Sequence, residues 1–414
     1  SIFLAGAIHY ALGQHEQAVS RLSFYVSQRP GNVRARMLLG ATLVRKKEAR
    51  QAIEVLAPIA SNPDADAQLL TLIGSAYMQI GNFNQGAEYF SKAAEKAPDV
   101  AAIQTRLALG NLARGKANDA IGQLERALDL DPGERRAAML LALVKMRKKD
   151  FDGALKAARA LRKTMPDNPI ARNLEGAAQF GKGDIAGARK TFQDALEAHP
   201  DFHGARMQLA QIDRHEKKSD LARARYMKVL EQSPKHIGAM VALSEMAQTA
   251  RKSDAAIAWL QRAADANPKA VMPRMRLIGL HGRMRKFKKA LAVAQELDRN
   301  VPDNPSIIEV LGRAETTAGE VISAAATFSR LAALRPKSAR ALGLVAGAQI
   351  ASKDLAQARV TLKRAIDLDP KFLSVRIALI ELEARDGKFN RAMRLATALR
   401  KTQKSSSVGD MLVG

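Results

Sequence analysis

Cysteine is absent from all 414 residues. That excludes disulfides, thiolate metal sites and thiol nucleophiles, and it leaves the redox character of the compartment open. Aromatic residues make up only 4% of the chain, with a single tryptophan, and β-branched residues are sparse beside Ala, Leu, Arg and Lys. Sheets therefore lack the residues they favour, and an all-α fold is the expectation. No apolar run approaches the roughly 18 residues a membrane-crossing helix needs, and Ser1 to Gly13 has neither the basic start nor the cleavage site of a secretory signal. Acid is scarce as well: 41 acidic residues face 66 lysines and arginines, for a net charge of +25. Such a surplus favours approach to nucleic acid, anionic lipid, acidic polysaccharide or acidic protein segments without choosing among them.

What the sequence does have is a ruler. Pro98, Pro132, Pro166, Pro200, Pro234, Pro268, Pro302, Pro336 and Pro370 are spaced by 34 residues, and Pro30 keeps the register. With those prolines at position 32 of each unit, units start at 1, 33, 67, 101, 135, 169, 203, 237, 271, 305, 339 and 373, a continuous array over 1–406. A fixed period of this length marks a repeat array rather than separate globular domains. Each unit reads as two antiparallel helices, A over positions 3 to 14 and B over about 17 to 30, with proline stopping B.

Four columns support this reading. Position 20 is alanine in nearly every unit, including Ala18, Ala52, Ala120, Ala154, Ala188, Ala222, Ala256, Ala290, Ala324, Ala358 and Ala392, as a close helix contact requires. Position 8 is small in Gly6, Gly40, Gly74, Ala108, Gly176 and Gly312, whereas Ile278 and Ile380 break the pattern and predict different packing in their units. Positions 24 and 27 share a helix face and trade volume. Phe90, Leu124, Phe192, Leu260 and Leu362 precede alanines, whereas Ala158, Ala294 and Ala396 precede leucines. Position 15, at the A/B turn, is glycine in six units, as a left-handed helix end prefers, and Lys or Arg in the others.

Residues 67–100 carry Ile73-Gly74, Tyr77, Phe90, Ala93 and Pro98 at the offsets of a known pattern. On these the sequence resembles the tetratricopeptide repeat. The resemblance implies a right-handed superhelical solenoid of about twelve helix pairs, its concave face lined by the A helices. It also implies protein or peptide partners. Projected from that geometry, Met139, Leu143, Met146, Met207, Gln211, Arg214, Met275, Glu309 and Arg313 are candidate groove contacts. The Lys/Asn/Asn/Lys/Arg set with which chaperone-binding members clamp a C-terminal carboxylate is missing from consecutive A helices, which argues against a cochaperone. Trp259 is expected in the core. Val408 to Leu412 read as the start of a further helix or a truncated tail over 407–414, and the lack of polar capping helices predicts a segment of a longer repeat protein.

Motifs that imitate chemistry are better explained by the repeat. Gly110 to Ala117 and Gly176 to Gly183 follow GxxxxGK but end without the metal-binding hydroxyl and follow no strand. The histidines, including His199 and His203 around Pro200, form no metal-ligand motif. We therefore expect no catalytic residue, cofactor or metal, and no sequence-specific nucleic-acid binding, because aromatic residues are not interleaved with the charge.

The basic residues are uneven. Unit 135–168 carries ten Lys or Arg against three acids, and units 271–304 and 373–406 carry eight against three. They gather near A/B turns as Arg45, Lys46, Lys47; Lys145, Arg147, Lys148, Lys149; Arg214, Lys217, Lys218; and Arg283, Arg285, Lys286, Lys288, Lys289. One reading is that cations at helix C-termini favour the macrodipole and solubility. The other is a basic edge that recruits anionic polysaccharide or an anionic lipid surface.

Unbroken units, the phrases Lys149 to Leu155 and Gly183 to Arg189, and Pro166-Asp-Asn-Pro169 recurring as Pro302-Asp-Asn-Pro305 are similar to the bacterial PEP-CTERM-system tetratricopeptide lipoproteins. That resemblance implies an interaction scaffold in a cell-envelope or periplasmic exopolysaccharide and protein-sorting system, with a lipidated cysteine upstream. Alternatives are a cytoplasmic interaction array and the repeat segment of a larger enzyme such as a glycosyltransferase.

Overall fold

The structure, a computed structural model, describes residues 2–402. The expected helix within 407–414 lies outside the described residues. Among the described residues are 24 α-helices and no strand, α1 (Ile2–Ala11) through α24 (Phe389–Thr402), arranged as consecutive antiparallel pairs. The chain divides into two compact units, Ser1–Ala222 and Arg223–Gly414.

Each repeat boundary coincides with the start of an A helix, as in α3 (Val33–Arg45), α5 (Ala67–Gln79), α7 (Ala101–Ala113), α9 (Arg135–Arg147) and α21 (Ala339–Ala351). A helices thus begin at position 1 rather than position 3. In some units the boundary turn supplies an N-cap, Asn32 accepting from the Ala35 amide and Asp66 from the Leu69 amide, whereas the helices that follow Val100, Phe202, Ala270 and Phe372 begin at position 1 without one. Where they occur, these caps satisfy an otherwise orphaned N–H. B helices occupy positions 17 to 30, as in α6 (Phe83–Lys96) and α10 (Phe151–Thr164), opened by side-chain caps from Asn82, Asp150, Asp184 and Asp354.

The A/B turn has one backbone geometry throughout. The six position-15 glycines have φ of 73 to 88°, and Lys47, Lys149, Lys217, Arg251, Arg285 and Lys353 sit in the same left-handed region at 56 to 65°. Around Gly81, Asn82 N–H donates to the Tyr77 carbonyl at 3.0 Å and Gly81 N–H to Met78 at 3.2 Å. Around Lys149, Asp150 N–H donates to Lys145 at 2.9 Å and Lys149 N–H to Met146 at 3.0 Å. The frame of the repeat sets this helix stop, and a side chain there costs about 1 kcal/mol.

Packing inside a pair explains the exceptions at position 8. A Cβ on Gly40 would stand 2.6 Å from Leu56, on Gly74 2.8 Å from Phe90, on Gly176 2.7 Å from Phe192 and on Gly312 2.5 Å from Phe328. In each case the obstacle is the side chain at position 24 of the same unit. Where position 8 is Ile278 or Ile380, position 24 is Ala294 or Ala396, and each of these couples packs within one cluster. The position 24 and 27 residues singled out by volume exchange are all buried.

Within Ser1–Ala222, consecutive A helices touch: α1 and α3, α3 and α5, α5 and α7, α7 and α9, α9 and α11 (Pro169–Lys182), and α11 and α13 (His203–His215). No consecutive B helices of that unit do so to a comparable extent among the described residues, which sets the A helices on the inner side of its stack.

Units are also pinned by buried charge. Asp213, at position 11, is fully buried and takes Arg189 Nη1 from the preceding unit at 2.9 Å, while Arg189 Nη2 reaches Glu216 at 3.0 Å. Five units later the arrangement recurs: Arg359 Nε lies 3.0 Å from buried Glu383 and its Nη2 pairs with Asp386, with Arg391 adding a 3.2 Å contact to Glu383. Arginine or glutamine at position 4 donates back to the boundary proline carbonyl, with Gln104 to Pro98 at 2.8 Å and Arg206 to Pro200 at 2.6 Å.

Candidate functional site

The inner side of the Ser1–Ala222 stack opens as a cleft of about 700 Å³ lined by α1, α3, α5, α7 and α9. Helical periodicity turns positions 2, 5, 6, 9, 12 and 13 of successive A helices toward it. Leu72, Met78 and Leu109 supply its apolar surface over the buried Phe90 and Ile103, and Gln68, Thr71, Ser75 and Gln79 its neutral polar groups. Three arginines, Arg45, Arg106 and Arg136, stand among them.

The environments of the arginines differ. Arg45 is exposed and lies with its guanidinium carbon 4.8 Å from the centroid of the Tyr10 ring. Arg106 is half-buried, and Nη1 donates to Ser75 Oγ at 3.1 Å. Burial pushes the Arg106 guanidinium below its ordinary pKa; the neighbouring Arg136 adds to the shift and Glu134 opposes it. Glu134 itself caps α9, accepting from the Arg136 amide at 3.2 Å. None of α1, α3, α5, α7 and α9 contains an aspartate or glutamate. The acids of this stretch lie on B helices and turns, as with Glu16, Glu88 and Glu125.

The A helices of Arg223–Gly414 differ. Glu309 accepts from Arg313 Nη2 at 2.9 Å and from Arg340 Nη2 at 2.7 Å. Burial would raise its carboxyl, but those two arginines outweigh it and hold Glu309 below the ordinary glutamate value. Arg276 pairs with Glu245 at 2.5 Å, and Arg283 donates to Gln248 at 2.9 Å. Charge on these helices is largely answered from within.

Of the groove candidates named from sequence, none lines this cleft. Met139, Leu143 and Met146 are on α9, Met207, Gln211 and Arg214 on α13, Met275 on α17 (Val271–Arg283), and Glu309 and Arg313 on α19 (Pro305–Ala318). Leu143 and Met275 are exposed, whereas Met139 packs against the core. The basic edge is thinner than its residue list. Lys46 pairs with Glu16 at 2.7 Å and Glu48 at 2.9 Å, Lys145 with Glu125 at 2.7 Å, and Lys218 with Glu216 at 2.7 Å. Lys148 donates to Asn118. Lys47, Arg147, Lys149, Lys217, Arg285, Lys288 and Lys289 remain exposed at turns or helix ends, and Lys286 is half-buried.

Buried titratable groups at position 11 escaped sequence reading. His281 is held below its ordinary pKa by burial, with Lys289 and Lys286 adding to the effect. Glu315 is held above its own by burial, and its Oε2 has no hydrogen-bond partner. Trp259 is half-buried rather than core, with Arg262 5.5 Å from its ring centroid. The glycines of the phosphate-loop imitations serve packing and turns: a Cβ on Gly110 would press on Ala87 at 3.0 Å, and Gly115 and Gly183 are left-handed.

Among solved structures, the chain is similar to an APC/C hetero-tetramer Cut9-Hcn1, at 14% identity over 92% of this chain and 89% of that one, with a TM-score of 0.35. It is also similar to MamA 41-end from Desulfovibrio magneticus RS-1, at 18% identity over 41% and 96%, with a TM-score of 0.38. A MamA crystal structure aligns at 26% identity over 39% and 95%, with a TM-score of 0.37. No curated protein matches the sequence. Two family models described as tetratricopeptide repeat do match, one over residues 71–134, 105–169, 139–201, 173–237 and 310–371 and the other over 9–76. Four of those matches start one unit apart, at 71, 105, 139 and 173, in step with the proline ruler and the helix pairs, and the chain belongs to the tetratricopeptide repeat family.

Proposed function

We propose that this protein is a non-catalytic interaction scaffold of a bacterial envelope system for exopolysaccharide export and PEP-CTERM protein sorting, and that it engages a protein partner through the cleft over α1 to α9. The observation that carries the scaffold reading is that cleft, an inner surface lined by five A helices and combining apolar side chains with polar ones. Concave surfaces with an apolar floor and a few placed polar groups are where ligands are held. The pathway rests on the sequence phrases shared with the envelope lipoproteins.

The test is capture from fractionated bacterial cells with the immobilised full chain and a Met78→Glu, Leu109→Glu variant whose circular dichroism matches wild type. Retention of a defined envelope protein by the wild type and its loss in the variant is the expected result. Capture confined to the cytosolic fraction would remove the envelope assignment, and equal capture by both chains would remove the cleft.

A further inference from the structure

We infer that the cleft of the Ser1–Ala222 unit takes an acidic peptide strand, with a carboxylate seated against Arg106 and Arg136 and apolar side chains on Leu72, Met78 and Leu109. The inference rests on the scaffold reading and supplies the chemistry of its partner.

Charge complementarity selects the occupant. Five consecutive inner helices contain no acid, yet the cleft carries three arginines. Arg106 is half-buried against a serine hydroxyl, its charge neighbours being Arg136 and, in opposition, Glu134. A half-buried guanidinium satisfied by a neutral hydroxyl is poised to gain from a carboxylate, whose charge-assisted bonds are about twice as strong as neutral ones. The contrast within the same chain is direct, since Glu309 already answers Arg313 and Arg340 on the A helices of the other unit.

Shape and lining discriminate among anions. A flat anionic bilayer cannot follow a concave face. A polyhydroxylated sugar strand would leave the apolar lining uncovered and its own hydroxyls short of partners. Single-stranded nucleic acid needs exposed rings to stack on, but Phe90 is buried and Tyr10 is covered by Arg45. A peptide alternating acidic and apolar residues satisfies both components.

Fluorescence anisotropy of the full chain tests this with a labelled peptide of about a dozen residues alternating Glu and Leu, its Gln-for-Glu counterpart, and an alginate oligomer. The Glu peptide is expected to bind at least about tenfold more tightly than the Gln peptide, the margin falling with salt. Arg106→Gln and Arg136→Gln are each expected to weaken the Glu peptide about three- to tenfold while leaving the Gln peptide unchanged. Because Arg136 is exposed, its variant keeps the test informative should Arg106→Gln disturb folding. Lys149→Ala, on the turn, is expected to leave both affinities unaltered. Equal binding of the Glu and Gln peptides would overturn acid selectivity, as would preference for alginate or failure of both peptides to bind. The scaffold reading would survive each of these results if cleft-dependent capture of an envelope protein persisted.

Discussion

Exchanging the side chains of one helix pair for those of another tests the packing rule most directly. Gly312 faces Phe328 where Ile380 faces Ala396, the same two positions filled in opposite ways. Gly312→Ile alone forces a side chain into a place where even its Cβ would lie 2.5 Å from the Phe328 ring. Overpacking of that severity costs about 3 kcal/mol, less about half a kcal/mol regained by removing glycine from a helix interior. Phe328→Ala alone empties a site that is 3% exposed, at a cost of about 3 to 5 kcal/mol. Summed, the single losses reach about 6 kcal/mol, whereas the double variant reproduces the natural Ile–Ala couple and should lose only about 3. Urea unfolding of the full chain followed by far-ultraviolet circular dichroism gives the three values, and amide exchange in α19 and α20 (Val321–Leu334) localises the effect. A double variant as unstable as the sum of the singles would refute the pairing of positions 8 and 24.

Two further outcomes are expected. Glu315→Gln should stabilise the protein by about 1 to 2 kcal/mol at neutral pH, because burial disfavours the carboxylate there more than the Thr327 hydroxyl and the Arg330 charge favour it. With Glu315 held above its ordinary value of 4.5, its stabilising contribution is present below that value and lost as pH rises through the folded one. The advantage of Gln should therefore vanish in acid, and thermal unfolding as a function of pH would expose an opposite trend. At the turns, Lys149→Gly should be more stable than Lys149→Ala by about 1 kcal/mol, since both remove the charge and only Gly relieves the left-handed strain. Equal melting temperatures would show that this backbone carries no such cost.

The proline ruler made the repeat boundaries and the B helices legible, because a helix breaker at a fixed offset acts locally. The A helices start at position 1 with a capping side chain, as at Asn32 and Asp66, or without one, as after Val100 and Phe202, so no single residue type marks that start in the sequence. Ile278 and Ile380 looked like defects in one column, and they become regular only when read with Ala294 and Ala396 sixteen residues on. Glu315 and Glu383 occupy the same position, yet Arg359 and Arg391 answer the latter where Leu291 and Ser323 stand for the former. That difference depends on residues in a neighbouring helix and cannot be read from either acid. Met139, Leu143 and Met146 stand on α9, the helix that gives the cleft Arg136, while the other groove candidates lie on later A helices. The cleft's legible sign is an absence, the missing acids of the first five A helices.

The coupling of positions 8 and 24 bears on how such an array is copied. A crossover at the A/B turn that joined the A helix of an Ile–Ala unit to the B helix of a Gly–Phe unit would set isoleucine against phenylalanine. A crossover at the boundary turn after the proline keeps each couple together. Between units of opposite couple, repeats are therefore exchanged without a packing defect only as whole helix pairs, cut at the boundary.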